Sequence, residues 1–153
     1  MKTIRCPYCH EYIGSTAYPA HEAEHLMPRA DGQQTEYMTL APEERVEGSL
    51  NGIPKVYEHN KCGGLTGMPE EIIRSYLKNP YLYMADRSFC CTCGKHVPCR
   101  ECVWIETGED LQSYTNKLRA QKPEFRPGLL IRIRIGIVNV FHFWLDKILH
   151  MTR

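Results

Sequence analysis

Cys6-Pro7-Tyr8-Cys9 is followed after eleven residues by His21 and then by His25. No other feature restricts the fold of this chain so tightly. A Cys-x2-Cys turn aims both thiolates at one point, and histidines four apart share one face of a helix, so the four donors can close a tetrahedron around Zn²⁺. Cys6, Cys9, His21 and His25 are therefore the first expected metal site. The chain holds eight Cys and seven His in 153 residues, enough length for one modest domain or two small metal-stapled ones. No charged and apolar leader precedes Cys6, so export is not expected. In a cytoplasmic, reducing setting metal ligation outranks disulfides as the use of paired cysteines.

The spacing resembles the C2H2 zinc finger family, with a Cys-to-His gap one residue shorter than the common twelve. Ile13 and Tyr18 occupy the places where that family puts the apolar residues beneath the metal. The resemblance spans residues 4–26 and implies a finger over 1–28. Ser15 and Thr16 are the candidate N-caps of its helix, and Pro28 its stop. DNA reading is the usual association of such fingers, yet no Lys or Arg lies between Ser15 and His25, while Glu22 and Glu24 would face phosphates. Specific duplex recognition is not expected, and nucleic-acid binding stands as an alternative. A second alternative comes from His21-Glu22-Ala23-Glu24-His25, which fits the H-E-x-x-H signature of zinc metalloproteases. A catalytic zinc needs an open position for water, which two neighbouring thiolates would close.

Residues 29–57 read as a linker with short strands, Glu36–Leu40 and Pro54–Glu58. Beyond it, His59-Asn60-Lys61-Cys62-Gly63 is echoed by Cys90-Cys91-Thr92-Cys93-Gly94. These two ligand-x2-Cys-Gly turns resemble a zinc ribbon, and they make His59, Cys62, Cys90 and Cys93 the second expected metal site, within a domain over 58–125. The Gly beyond each pair suits a backbone that must turn through positive φ. Cys91 could replace Cys90, although the x2 spacing favours Cys90. The block from Cys62 to Arg74 is similar to uncharacterised bacterial proteins, a resemblance that implies no reaction.

Between the turns, a helix is expected over Pro69–Leu77, with Ile72, Ile73, Tyr76 and Leu77 as its core stripe and Asn79-Pro80 as its end. Another should follow the capping-box-like Thr107-Gly108-Glu109-Asp110, with Leu111, Tyr114 and Leu118 on one face. Cys99-Arg100-Glu101-Cys102 fits packing cysteines, a further metal pair or a redox pair.

Residues 126–153 carry Arg126, Arg132, Arg134, Lys147 and Arg153 against Asp146 alone, a net of +4 in a chain of net charge +1. An anionic partner would thus meet the tail. Leu129 to Leu149 contains fourteen large apolar residues in twenty-one. At 100° per residue Arg132, Asn139, His142, Asp146, Lys147 and His150 fall within about 140° of arc, opposite Leu130, Ile133, Ile137, Val138, Val140, Phe141, Trp144, Leu145 and Ile148. A basic amphipathic helix is expected over 126–153 rather than a membrane span, although Ile131–Ile135 also alternates like a strand. Its apolar face has three destinations: the body of the protein, a protein partner, or a membrane surface met by 129–150.

The expected whole is a small α+β protein of zinc-stapled modules with a C-terminal amphipathic helix. Its expected cofactor is Zn²⁺, two ions per chain in structural sites. A binding or adaptor role in the cytoplasm, with attachment to a membrane surface as one option, follows without any need for catalysis.

Overall fold

The computed structural model describes residues 2–30 and 33–151. It is an α+β assembly of small antiparallel sheets and helices, in chain order β1 (Thr3–Arg5), β2 (Tyr12–Gly14), α1 (Tyr18–His25), β3 (Val56–His59), β4 (Gly64–Gly67), α2 (Glu70–Lys78), β5 (Arg87–Cys90), β6 (Lys95–Pro98), β7 (Cys102–Trp104), α3 (Leu111–Gln121) and α4 (Leu129–Met151). Three of these strand pairs share one plan: β1 with β2, β3 with β4, and β5 with β6 each form a hairpin whose turn is one of the ligand-bearing motifs. Strand β7 adds antiparallel to the other edge of β3, giving the order β4-β3-β7 and setting His59 opposite Cys102.

Two linked clusters form the core. Tyr57, Cys90, Val97, Cys102, Trp104 and Leu111 pack together, and Leu50, Ile73 and Tyr76 form the second cluster, with Met68 and Tyr114 touching both. The rings of Tyr57 and Trp104 meet edge to face at 5.6 Å, a geometry that suits the ring quadrupoles. The Tyr57 hydroxyl donates to the carbonyl of Phe89 and lies 2.9 Å from Ser88 Oγ, tying β3 to the neighbouring hairpin. The stripes expected on α2 and α3 are therefore core stripes.

Residues 36–40 form no strand. They belong instead to an irregular strap that fastens the N-terminal module to α2. Thr39 N donates to Pro7 O, Leu40 N donates to Ser75 Oγ, and Tyr83 Oη donates to Met38 O, while the Arg74 guanidinium donates to Val46 O and Gly48 O. Backbone groups that a sheet would have paired are satisfied by these contacts. The cap of α3 is Asp110, whose carboxylate accepts from Ser113 N at 2.9 Å, three residues beyond the expected Thr107. Thr107 serves the turn before it, accepting from Glu109 N.

The tail is helical throughout Leu129–Met151, so the alternation at 131–135 makes no strand. No helix among the described residues is long and apolar enough to cross a membrane. The positions expected for His142, Asp146, Lys147, Ile148 and His150 lie outside the described side chains.

Candidate metal centres

The three ligand-bearing turns have one backbone geometry. In each, the N–H following the second donor returns to the carbonyl of the first: His10 N to Cys6 O at 2.9 Å, Gly63 N to His59 O at 2.8 Å and Gly94 N to Cys90 O at 2.9 Å. That closure requires the left-handed region, and φ is +68° at His10, +66° at Gly63 and +62° at Gly94. Glycine adopts it freely, whereas a side chain there costs about 1–2 kcal/mol. His10 is the departure from the glycine pattern, and its Nε2 lies 3.3 Å from Thr39 Oγ1 on the strap.

Helix α1 brings His21 and His25 over the first turn. Cys6 and His25 are buried, Cys9 and His21 half-buried, and one donor atom from each lies within 4.8 Å of all the others. Cys9 Sγ is 3.3 Å from His21 Nε2, which is 3.0 Å from His25 Nε2. A regular tetrahedron with Zn–S and Zn–N bonds of ordinary length sets its donors about 3.3–3.8 Å apart; the Cys9–His21 separation matches such an edge, and the His21–His25 separation is a few tenths of an ångström shorter. The remaining nitrogen of His25, Nδ1, lies 3.2 Å from Glu36 Oε2, and the ring stacks on Tyr8 with centroids 5.2 Å apart. A carboxylate on the far nitrogen fixes both the tautomer and the ring orientation of a metal-binding histidine.

Ser15 and Thr16 do not cap α1. Its N-cap is Ala17, with no side-chain hydrogen bond, and Pro19 stands in the first turn, where its missing N–H leaves no orphan donor. Ile13 and Tyr18 are half-buried. Glu22 accepts a 3.0 Å hydrogen bond from the Tyr18 hydroxyl.

The second cluster is built between two hairpins. Here His59, Cys62, Cys90 and Cys93 place one donor atom each within 4.8 Å of the rest. His59 Nδ1 lies 3.2 Å from Cys62 Sγ and 3.5 Å from Cys93 Sγ, and Cys62 Sγ is 3.6 Å from Cys90 Sγ. Gly64 N and Cys93 N point at Cys62 Sγ and Cys90 Sγ, each at 3.4 Å. The Gly64 contact holds the Cys62 thiol below its ordinary pKa, because a donor stabilises the thiolate.

Glu101 stands beside this cluster as Glu36 stands beside the first, at ion-pair distance and without a hydrogen bond to His59 Nε2. Its Oε2 is 3.5 Å from His59 Nε2, the nitrogen facing away from the sulfurs, and its Oε1 is 3.0 Å from Lys61 Nζ. Burial opposes the carboxylate, but Lys61 and His59 outweigh it and hold Glu101 below the usual range. Neither Glu36 nor Glu101 was marked by sequence spacing: each acts through a contact made only in the folded chain.

Gly64 sets the approach of the two hairpins. A Cβ there would lie 2.1 Å from Thr92 Oγ1 and 2.5 Å from Thr92 Cβ, so the two turns meet where only hydrogen fits. Cys91 is exposed and stands outside the cluster, its N–H donating to Thr66 Oγ1. Cys99 and Cys102 also stand apart from both clusters among the described residues. Burial pushes both of their thiols up to about 12. They are packing groups of the Trp104 core, protonated at neutral pH, which is the reverse of an activated redox pair.

Each cluster offers four thiol and imidazole donors that could hold a metal ion, with a carboxylate close to the far nitrogen of one histidine. Comparisons of the chain with protein-family models, with curated proteins and with solved structures find no match.

Proposed function

We propose that this chain is a non-catalytic binding or adaptor protein organised by two structural zinc ions. Cys6, Cys9, His21 and His25 form a C2H2-like finger, and His59, Cys62, Cys90 and Cys93 form a ribbon-like centre. The convergence of four donor atoms in each cluster carries this reading, because four protein ligands satisfy tetrahedral zinc and leave no position for a reacting water. Small modules of this kind bury too little to fold securely alone, and zinc supplies the missing free energy. In the adaptor role, α4 is the attachment element and the zinc modules shape the body that it carries.

The protease alternative loses support from Glu22, whose carboxylate is engaged by Tyr18 rather than standing free as a general base. Nucleic-acid binding is disfavoured by the acidic surface of α1, where Glu24 is exposed and no Lys or Arg is present.

The test is a peptidase assay on the zinc-loaded protein with Glu22→Gln alongside. No cleavage of unstructured peptides is expected from either form, and both should hold the same zinc. A cleavage activity that vanishes in Glu22→Gln while zinc is retained would replace the adaptor reading with an open catalytic site.

A further inference from the structure

Helix α4 rests on the body by the wrong side for a core helix. Of its residues 129–141, only Ile135 and Asn139 are half-buried, and Asn139 Nδ2 donates to Met84 O at 3.4 Å. At 100° per residue those two positions lie roughly 180° from the arc that holds Leu130, Ile133, Ile137, Val140 and Trp144. That arc faces outward: Leu130 is 83% exposed, Ile137 66% and Trp144 56%. The helix is thus fastened through its polar side and presents outward an apolar face that Arg134 interrupts. A patch of this extent on a folded chain marks an interaction surface.

We propose that this face docks, in the plane of the interface, on an anionic lipid surface. The inference rests on the reading of the chain as an attachment module and supplies the partner of α4. Charge selects lipid over a second copy of the chain. Residues 129–145 contain Arg132 and Arg134 and neither Asp nor Glu. Arg134, which is exposed, falls on the apolar arc between Phe141 and Leu145. A second copy packed face to face would bury that guanidinium among apolar groups and bring a like charge without a carboxylate to pair it. A lipid surface does the opposite. Its phosphates accept the guanidinium at the headgroup level, while the alkyl stem and the neighbouring side chains enter the acyl boundary. Trp144 suits the same depth, with an apolar ring and a polar N–H edge. With Arg126, Lys147 and Arg153, and against Asp146 alone, residues 126–153 reach +4, which adds long-range attraction to a negative leaflet.

The experiment is co-sedimentation of the full-length zinc-loaded chain with vesicles of equal parts phosphatidylglycerol and phosphatidylcholine at low salt, with zinc per chain measured on the bound and free fractions. Sedimentation with these vesicles is expected, together with a blue shift of Trp144 emission scored against Trp144→Phe. Pure phosphatidylcholine should retain about tenfold less protein. Arg132→Glu with Arg134→Glu, and separately Ile137→Asp, should each lower binding by about tenfold or more while zinc content stays unchanged. Protein that keeps its zinc yet stays in the supernatant with anionic vesicles would overturn the proposal. So would a stable dimer that loses its association on Ile137→Asp and binds no lipid. Loss of zinc in the starting protein would instead count against the metal reading, which keeps the two failures distinguishable.

Discussion

Cys90→Ser is expected to unfold the ribbon-like module and to reduce bound zinc by one ion per chain. Cys90 is wholly buried, and it is both a candidate metal donor and a member of the core cluster with Tyr57 and Trp104. A structural zinc contributes about 10–16 kcal/mol in small modules, whereas whole domains are stable by about 5–15 kcal/mol. A donor that weakens the site by even a fraction of that leaves too little to hold the fold. Near-ultraviolet circular dichroism from Tyr57 and Trp104 should collapse, and the cooperative melt should disappear. Cys99→Ser is the control. Its thiol packs against the same core but stands outside the metal cluster, so zinc should stay constant and stability should fall by about 1 kcal/mol. Equal effects from the two substitutions would show that Cys90 acts as a packing group and not as a ligand.

Gly64→Ala is the second large effect, because it strikes the contact between the two hairpins. Rotating Thr92 about χ1 moves its Oγ1 away but leaves its Cβ at 2.5 Å, so the backbones must part. Over-packing of this kind costs about 1–3 kcal/mol, and parting the hairpins separates His59 and Cys62 from Cys90 and Cys93. Zinc affinity of the second centre should fall by about 30-fold, read by competition with a chelator of known affinity. Thr92→Gly removes both clashing atoms and should restore most of the loss in the double variant, whereas independent sites would give additive effects. Absence of rescue would mean that Gly64 is required for some reason other than the approach of Thr92.

Much of this arrangement was legible from local chemistry. The x2 spacing of Cys6 with Cys9, of His59 with Cys62 and of Cys90 with Cys93 is a turn signal in itself, so the candidate donors and their turns could be read together, whereas most of the short strands flanking those turns carry no such local signal. The stripes Ile72, Ile73, Tyr76, Leu77 and Leu111, Tyr114, Leu118 were legible for the same reason: a helical period requires only near neighbours. What escaped the sequence depends on distant partners. Glu36 and Glu101 reach His25 and His59 through tertiary contacts, and nothing in their own neighbourhood distinguishes them from other acids. Gly64 has the composition of any turn glycine; its constraint comes from Thr92, a residue of another hairpin. Residues 36–40 have the composition of a strand but find side chains of Ser75 and Tyr83 and a carbonyl of Pro7 instead of a strand partner. His10 departs from the glycine rule because the turn tolerates a left-handed histidine that also meets Thr39. Ser15 and Thr16 fall short of the cap because α1 begins at Tyr18 after Ala17, and Pro19 in its first turn removes one N–H that would need a capping group.

The most direct measurement of the central claim is zinc per chain, by elemental analysis of protein purified without added metal, alongside a timed count of reactive thiols. Two zinc ions are predicted, with the exposed Cys91 reacting at once and Cys6, Cys9, Cys62, Cys90 and Cys93 protected until a chelator is added. One zinc or none, with those five thiols reactive at neutral pH before chelation, would contradict two closed structural sites.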